Sequence, residues 1–412
     1  MKGKKKFVVI LVLGSLSALG PFSIDMYLPG FIAIAEDLGT TTSEVSLSLS
    51  SFFIGISVGQ LFYGPLLDRF GRKIPLFFGL GLYVFASISC AFSSSINSLI
   101  ILRFLQAFGG CAGMVASRAI VRDFFQVDEI PKIFSLLMLV IAVSPIIAPT
   151  TGGFVTLHFG WQSIFIILAC IGIITLLGVI FGMPVTRPGD SSVSLMPAPI
   201  IRGFRQIFIH PQFLTYAFTG AIAAAGLYAY IAGAPYVFME LYGVSATEFS
   251  WIFAIIAGGL IIASQVNTLL LRKYTSHKIL KGALICQSVA GLLLVLCFIS
   301  GFVNLYTTIF LIFIFLSCQG FAFPNSSALS IAPFISNAGR ASALMGAVQL
   351  GIGAITSALV SILHNESAIP MAGVMAGCAV VSLTILLLGS RVIFQPLGEN
   401  IKKEAIKIST AG

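Results

Sequence analysis

Charge is scarce in this chain. Of 412 residues, 23 are Lys or Arg and 14 are Asp or Glu, 9% in all, against a hydrophobic share of 58%. A soluble domain carries about 25% charged residues, so there is too little charge to coat a water-facing globule, and a soluble multidomain enzyme is excluded. Short alternating apolar segments are missing too, which argues against a β-barrel. The same composition excludes a disordered chain and a disulfide-rich secreted scaffold. The seven cysteines all lie inside apolar runs and none has metal-ligand spacing; they read as small buried side chains. The four histidines, His158, His210, His277 and His364, fall in loops or in the central polar break, where none reads as a membrane relay or a zinc ligand. No phosphate-binding G-x-x-x-x-G-K-[ST] loop, hydrolytic triad or dinucleotide fingerprint is present. The loops are too short to house a catalytic domain, so no enzyme activity and no cofactor are expected. What remains is an all-α polytopic membrane protein.

What the chain has in quantity is long apolar runs. A membrane-spanning helix needs about 20 mostly apolar residues. Twelve runs qualify: 7–33, 44–66, 74–94, 98–120, 132–157, 161–182, 212–238, 249–271, 279–301, 304–333, 341–363 and 369–391. An even number places both termini on one side. That side collects 22 of the 23 basic residues, from Lys2, Lys4, Lys5 and Lys6 at the start to Arg391, Lys402, Lys403 and Lys407 at the end. The opposite loops hold none and carry Glu36, Asp37, Glu44, Glu240, Glu248 and Glu366. Positive residues stay cytoplasmic, so both termini are expected inside. The opening Met1–Phe7 stretch resembles a signal-peptide start, but no small-x-small cleavage site precedes Pro21. The net charge of +9 lies in short clusters between apolar runs rather than along one face, which argues for a lipid bilayer and against nucleic acid as partner.

The longest polar break, 183–211, contains Pro184, Pro188, Pro197, Pro199 and Pro211 and divides the spans six and six. The expected organisation is an N-terminal six-helix bundle over 1–182, a cytoplasmic linker over 183–211, and a C-terminal six-helix bundle with a short tail over 212–412. The loop after span 2 carries Gly64, Asp68, Arg69, Gly71, Arg72 and Lys73; the loop after span 8, Leu271–Tyr274, reads as its degraded copy with Arg272 and Lys273 in place.

Only two ionisable side chains lie well inside spans, Asp25 and Arg103. A charge at membrane depth costs about 2.5–3.5 kcal/mol by insertion scales, so such groups face a bundle interior and usually have partners. Both fall in the outer half at similar depth, and a direct or water-bridged interaction is open if spans 1 and 4 adjoin. One reading is a proton switch on Asp25; the other is a static ion pair. Arg103, Gln106, Gly110 and Gly113 share one helical face, read as a cavity wall. Pro145 and Pro149 favour a bend in span 5, and Gly152 and Gly153 permit close packing. Polar and aromatic residues within spans offer a lining for bulky apolar ligands: Tyr27, Gln60, Tyr63, Gln106, Tyr228, Tyr230, Tyr236, Gln265, Asn267, Gln319, Asn325 and Gln349. Each can equally be ordinary interhelical packing.

The span 2 loop matches G-x-x-x-D-R-x-G-R-K at every fixed position and resembles the signature of the major facilitator superfamily. Ser23–Pro29 (SIDMYLP), Leu102–Gly113, Ser144–Gly153 and the Ser117–Asp123 loop resemble further motifs of its twelve-helix drug:proton antiporters, closest to the Bcr/CflA branch linked to bicyclomycin and chloramphenicol resistance. Ser144 stands where the span 5 motif usually has Gly. The resemblance implies two six-helix bundles, a cytoplasmic gate built on Arg69, Arg72 and Asp68, proton coupling through Asp25 and Arg103, and a span 5 seal favouring export. It implies a monomer that exports drugs or similar amphipathic molecules, driven by the proton gradient and no cofactor, in the bacterial inner membrane. An exporter of an endogenous metabolite such as an amino acid or siderophore, an importer, and a non-transporting membrane component remain as alternatives.

Overall fold

A backbone crossing lipid must satisfy its polar groups within itself, and the chain does so with helices. The computed structural model describes residues 3–126, 129–183, 189–190, 196–301, 304–334 and 338–410, and for 3–5, 131, 197 and 394–410 the backbone alone. The first half consists of α1 (Gly3–Asp25), a 3-10 turn (Leu28–Gly30), α2 (Phe31–Asp37), α3 (Thr42–Phe70), α4 (Lys73–Ala91), α5 (Ile96–Phe124), α6 (Ile130–Phe159) and α7 (Gln162–Leu177), which ends in a π turn. After α8 (Pro197–Phe208), the second half is α9 (Pro211–Pro235), again with a terminal π turn, then α10 (Ala246–Leu270), α11 (Ser276–Ser300), α12 (Leu305–Ile331), α13 (Ala338–Ile362) and α14 (Ile369–Thr410).

Among the described residues twelve stretches are long and apolar enough to cross a membrane, and each coincides within a few residues with a run read from the sequence. Four of them begin on a side-chain cap. Thr41, Ser95 and Asn304 accept from the third backbone N–H beyond them, and Ser245 forms a reciprocal capping box with Glu248. Such caps satisfy donors that helix ends leave open. Large apolar side chains such as Phe78, Phe181 and Leu157 stand exposed on the outer surface, the face that lipid covers.

Two features depart from the sequence reading. The polar break contains a helix, α8, too short to register as a span but well formed by Pro197 at its first position and by an apolar stripe. The last helix does not stop near residue 391 but continues to Thr410. Lys2, Pro184, Arg187 and Pro188, which the sequence reading uses, lie outside the described residues.

The six-helix bundles meet along two lines, α3 against α13 and α6 against α10. Along the first, Ser50 donates to Ser357 Oγ and Ser57 to the Ala347 carbonyl, both at 2.8 Å. Along the second, Ser250 donates to the Pro149 carbonyl at 3.0 Å. These contacts bring the middle of the chain's first half against its second, at the depth where the candidate site lies.

Candidate functional site

The first span is broken where the motif SIDMYLP falls. Helix α1 ends at Asp25, the chain turns through Leu28–Gly30, and α2 resumes the span. Pro21 lies inside α1 and Pro29 in the turn; each removes a backbone donor. Ending a helix here leaves carbonyls of its last turn without intrahelical partners.

Arg103 fills that need. Its side chain is fully buried on α5. Nη2 donates to the Ser23 carbonyl at 2.9 Å and Nη1 to Gln106 Oε1 at 2.6 Å. The guanidinium lies over the rings of Phe52, Tyr27 and Phe165, with centroids at 4.2, 4.5 and 5.7 Å. Gln106 passes the network on, donating to Ser87 Oγ at 2.8 Å. Ser23 Oγ meets both the Leu19 carbonyl and Tyr83 Oη. With the Ser23 proton on the carbonyl, Tyr83 is the donor to Ser23.

No ion pair joins Arg103 to Asp25 among the described residues. The two are neighbours in depth, but the base is held by the end of α1 two residues short of the acid. The negative end of a helix carries about half a charge, and desolvated cation–π contacts contribute roughly 2 kcal/mol. Together they take the place of a carboxylate against a desolvation penalty of several kcal/mol.

Asp25 is 6% exposed. The residue facing it is Ser144 of α6, whose hydroxyl lies against the carboxyl without completing a hydrogen bond of ordinary geometry. Tyr230 of α9 lies within electrostatic reach from the other half, its hydroxyl also without a partner and its ring stacked on Phe253. Next to Asp25, the Met26 carbonyl is so close to α6 that a Cβ on Gly152 would lie 2.0 Å from it; only glycine fits there. Gly153 faces Ala246 and Ser250 of α10. Pro145 and Pro149 sit within one continuous helix, α6.

The end of the molecule that holds the N-terminus carries the second cluster. Arg72 donates to Asp68 Oδ1 at 2.9 Å and to Asp123 Oδ2 at 2.8 Å, tying α3, α4 and α5 together. Burial pulls the Arg72 pKa down, and its bonds to Asp123 and Asp68 more than offset this, leaving it above the ordinary arginine value. Gly71 has φ 77°, the left-handed turn that glycine favours. At Gly64 an added Cβ would meet nothing within 4 Å, so no close approach requires glycine there. The Asp190 N–H donates to the Asp68 carbonyl at 3.0 Å, and a Cβ on Gly189 would fall 2.1 Å from the Arg69 carbonyl. Lys73 opens α4. Lys6 bonds Glu129 beside this cluster.

The polar residues proposed as a lining do not gather in one cavity. Tyr27 bonds Ser48, and Tyr63 packs among Phe62, Phe108 and Gly79 inside the first bundle. Gly110 packs on Tyr83 and Gly113 on Leu16, so the α5 face bearing Arg103 and Gln106 is bundle packing rather than cavity wall. Gln319 donates to the Ala223 carbonyl and Asn325 to Asn267 Oδ1, both within the second bundle. Gln60 meets Gly346, and Tyr228 meets Phe53 and Gly353; these two, Tyr230 and Tyr236 lie where the bundles meet, Tyr236 on a cleft of about 360 Å³ that it shares with Phe31, Thr42 and Ser46 of the first half. A cleft of about 180 Å³ between α9, α12 and α13 is lined by Tyr216, Gly220, Phe323, Ser326, Met345 and Gln349. Sequence reasoning passed over Ser87, Phe52 and Phe165, which carry no distinguishing pattern; it included Asp123 in the Ser117–Asp123 motif but gave it no role, although its position just past an apolar run opposite basic residues was a readable signal.

Twelve apolar helices in two bundles around a buried, polar break in the first span describe a membrane transporter. The chain belongs to the major facilitator superfamily, whose family model matches residues 13–361. It is 37% identical over 387 residues to an uncharacterized MFS-type transporter, YdgK, of Bacillus subtilis (strain 168), covering 92% of this chain and 94% of that one. It is 32% identical over 380 residues to a bicyclomycin resistance protein homolog of Haemophilus influenzae, covering 92% and 95%; this agrees with the Bcr/CflA branch that its motifs resemble. Its fold is similar to the inward-facing, occupied structure of a bacterial homolog of the human lysosomal transporter Spinster, with a TM-score of 0.72, 13% identity and coverage of 95% and 98%. The chain is thus a multi-pass transporter of a bacterial inner membrane that acts on small molecules.

Proposed function

We propose that this transporter is a proton-coupled antiporter that exports drugs or similar amphipathic molecules by alternating access. The observation that carries this reading is the Asp25 carboxyl, buried at the break in the first span with no basic partner among the described residues. A carboxyl at membrane depth can shed its charge by pairing or by taking up a proton. With Arg103 engaged by Ser23 and Gln106, the proton is what Asp25 exchanges. Arg103 holds the helix break, Arg72 with Asp68 and Asp123 latches the inner end, and Gly152 lets α6 seal against the turn beside the acid. The positive residues put both termini in the cytoplasm. The bundles of 1–182 and 212–412 rock about the interface where Gln60, Tyr228 and Tyr230 lie, the proton gradient being the energy source and a monomer the working unit. The export of drugs rests on the motifs shared with the Bcr/CflA branch and on the name of the Haemophilus relative.

The test is reconstitution into liposomes with an imposed pH gradient and a panel of drugs and metabolites. The wild type should accumulate amphipathic drugs only with the gradient. Asp25→Asn should insert and fold yet lose gradient-driven accumulation; if it pumps normally, the coupling assignment fails. Accumulation of an amino acid or siderophore but no drug would overturn the cargo assignment and leave the coupling intact.

A further inference from the structure

Helix α8 is amphipathic in a way that its contacts within the protein do not use up. At 100° per residue, Ile200, Phe204 and Ile207 form one stripe, Ile201 and Phe208 lie beside it, Arg205 and Arg202 follow, and Gln206 lies across the helix from Ile201 and Phe208. The first stripe is spent on the protein. Ile207 is 3% exposed and, with Phe204, packs on Phe213, Ala217, Ala341 and Leu344, and with them on Leu61 from the other bundle. The adjoining stripe is largely open: Ile201 is 62% exposed, and Phe208, which meets the Phe218 ring of α9 edge-on, is still 39% exposed. Arg202 and Arg205 are exposed beside it, and the helix contains no acidic residue.

The depth of α8 follows from what it touches. Phe213 lies in the first turn of α9, and Leu344 in the second turn of α13, roughly 3–9 Å inside the ends of those spans. A helix packed there lies at headgroup level rather than out in water. An open apolar edge flanked by arginines at that depth fits the boundary between acyl chains and phosphates. Charge complementarity adds a preference. Arg340 of α13 reaches the Gly203 face of the same helix, its Nη1 lying 3.3 Å from where a Gly203 Cβ would be, so a third guanidinium adds to the positive charge of a helix with nothing acidic in it.

We propose that α8 is a lipid-docking helix: Ile201 and Phe208 enter the acyl boundary of the leaflet at the end holding the N-terminus, and Arg202 and Arg205 bind anionic phospholipid headgroups. This stands apart from the transport cycle and from the identity of the cargo.

The experiment uses the full chain with the photoreactive residue benzoylphenylalanine placed at 201, 208 or 206, reconstituted in vesicles of phosphatidylcholine with one-fifth phosphatidylglycerol (a composition of about 20%, chosen so that charge is limiting). Adducts are identified by mass spectrometry after irradiation. Positions 201 and 208 should capture lipid and 206 should not. The ratio of phosphatidylglycerol to phosphatidylcholine among the adducts should be about fivefold that of the vesicle, the order expected for basic side chains at a charged surface. The Arg202→Gln/Arg205→Gln pair should abolish the enrichment, and Arg202→Lys/Arg205→Lys should keep it, which separates charge from folding. Equal capture at all three positions, enrichment that survives the glutamines, or capture of a second copy of the chain in place of lipid would each overturn the proposal.

Discussion

The Arg103 guanidinium donates to the Ser23 carbonyl at 2.9 Å, two residues before the only acid in the first span's membrane portion. The base therefore holds the end of the broken helix, and the acid is left facing Ser144 of α6. This relationship turns what the sequence offers as a pair of opposite charges into two separate jobs.

Arg103→Ala should remove at least a factor of ten from gradient-driven transport. It leaves Gln106 Oε1 and the Ser23 carbonyl without their donor, at about 1–3 kcal/mol for each unsatisfied buried group. Thermal unfolding in detergent should fall accordingly. Arg103→Lys keeps the charge but not the planar fork that spans both acceptors, and an intermediate stability with weak transport is expected. Wild-type stability in Arg103→Ala would show that the network carries no load.

The two glycine motifs should respond oppositely to the same change. Gly152→Ala drives a methyl into the Met26 carbonyl, which lies 2.0 Å from the Cβ position. The backbone cannot rotate away as a side chain would, so α6 must separate from the turn, at about 1–3 kcal/mol and with loss of transport. Gly64→Ala meets no atom within 4 Å and sits inside α3, where alanine is the better helix former by up to about 1 kcal/mol. It should be neutral or slightly stabilising, measured by thermal shift and by transport, despite its place in the superfamily signature.

These contrasts show where the sequence is legible. The spans could be read because lipid imposes length and apolarity on every one of them, and their positions agree within a few residues. Asp25, Arg103 and the Arg72 cluster stand out because charge is rare and costly at such positions. The partner of Arg103 could not be read, since a carbonyl exposed by the ending of a helix has no sequence letter of its own. Nor could the packing of Gln319 and Asn325 into their own bundle be told from a cavity lining, because both need the same side chains at the same depth. Helix α8 escaped a reading based on apolar length, though its 3.6-residue pattern was there.

The Arg72 cluster at the end holding the N-terminus is backed by a residue with no chemistry of its own. Gly189 brings the chain after the first bundle onto the Arg69 carbonyl, where a Cβ would fall 2.1 Å away, and Asp190 N–H bonds the Asp68 carbonyl. Gly189→Val should lift this segment off the loop that presents Arg72. Asp123→Asn should weaken the same cluster directly, as hydrogen bonds to charged groups contribute about 1.5–3 kcal/mol. Both should raise the accessibility of an engineered cysteine at the inner ends of α3 and α13, and the double variant should add little to either alone. Full additivity would mean the two act on separate structures.

Ser144 occupies the position that the related span 5 motif gives to glycine, and its hydroxyl is the group on α6 that faces Asp25. It is buried and otherwise unpartnered, which is costly unless the hydroxyl finds an acceptor in some state of the cycle. An ionised Asp25 supplies that acceptor, and a slight closing of α6 on α1 would complete the bond. Ser144→Ala removes the donor without opening a large void. It should lower gradient-driven efflux several-fold, about what one hydrogen bond of roughly 1 kcal/mol gives, while substrate–substrate exchange without a gradient stays near wild type. Ser144→Thr, which retains the hydroxyl, should restore driven efflux. If alanine depresses exchange and driven transport equally, Ser144 serves packing alone and the link between α6 and the acid is not chemical.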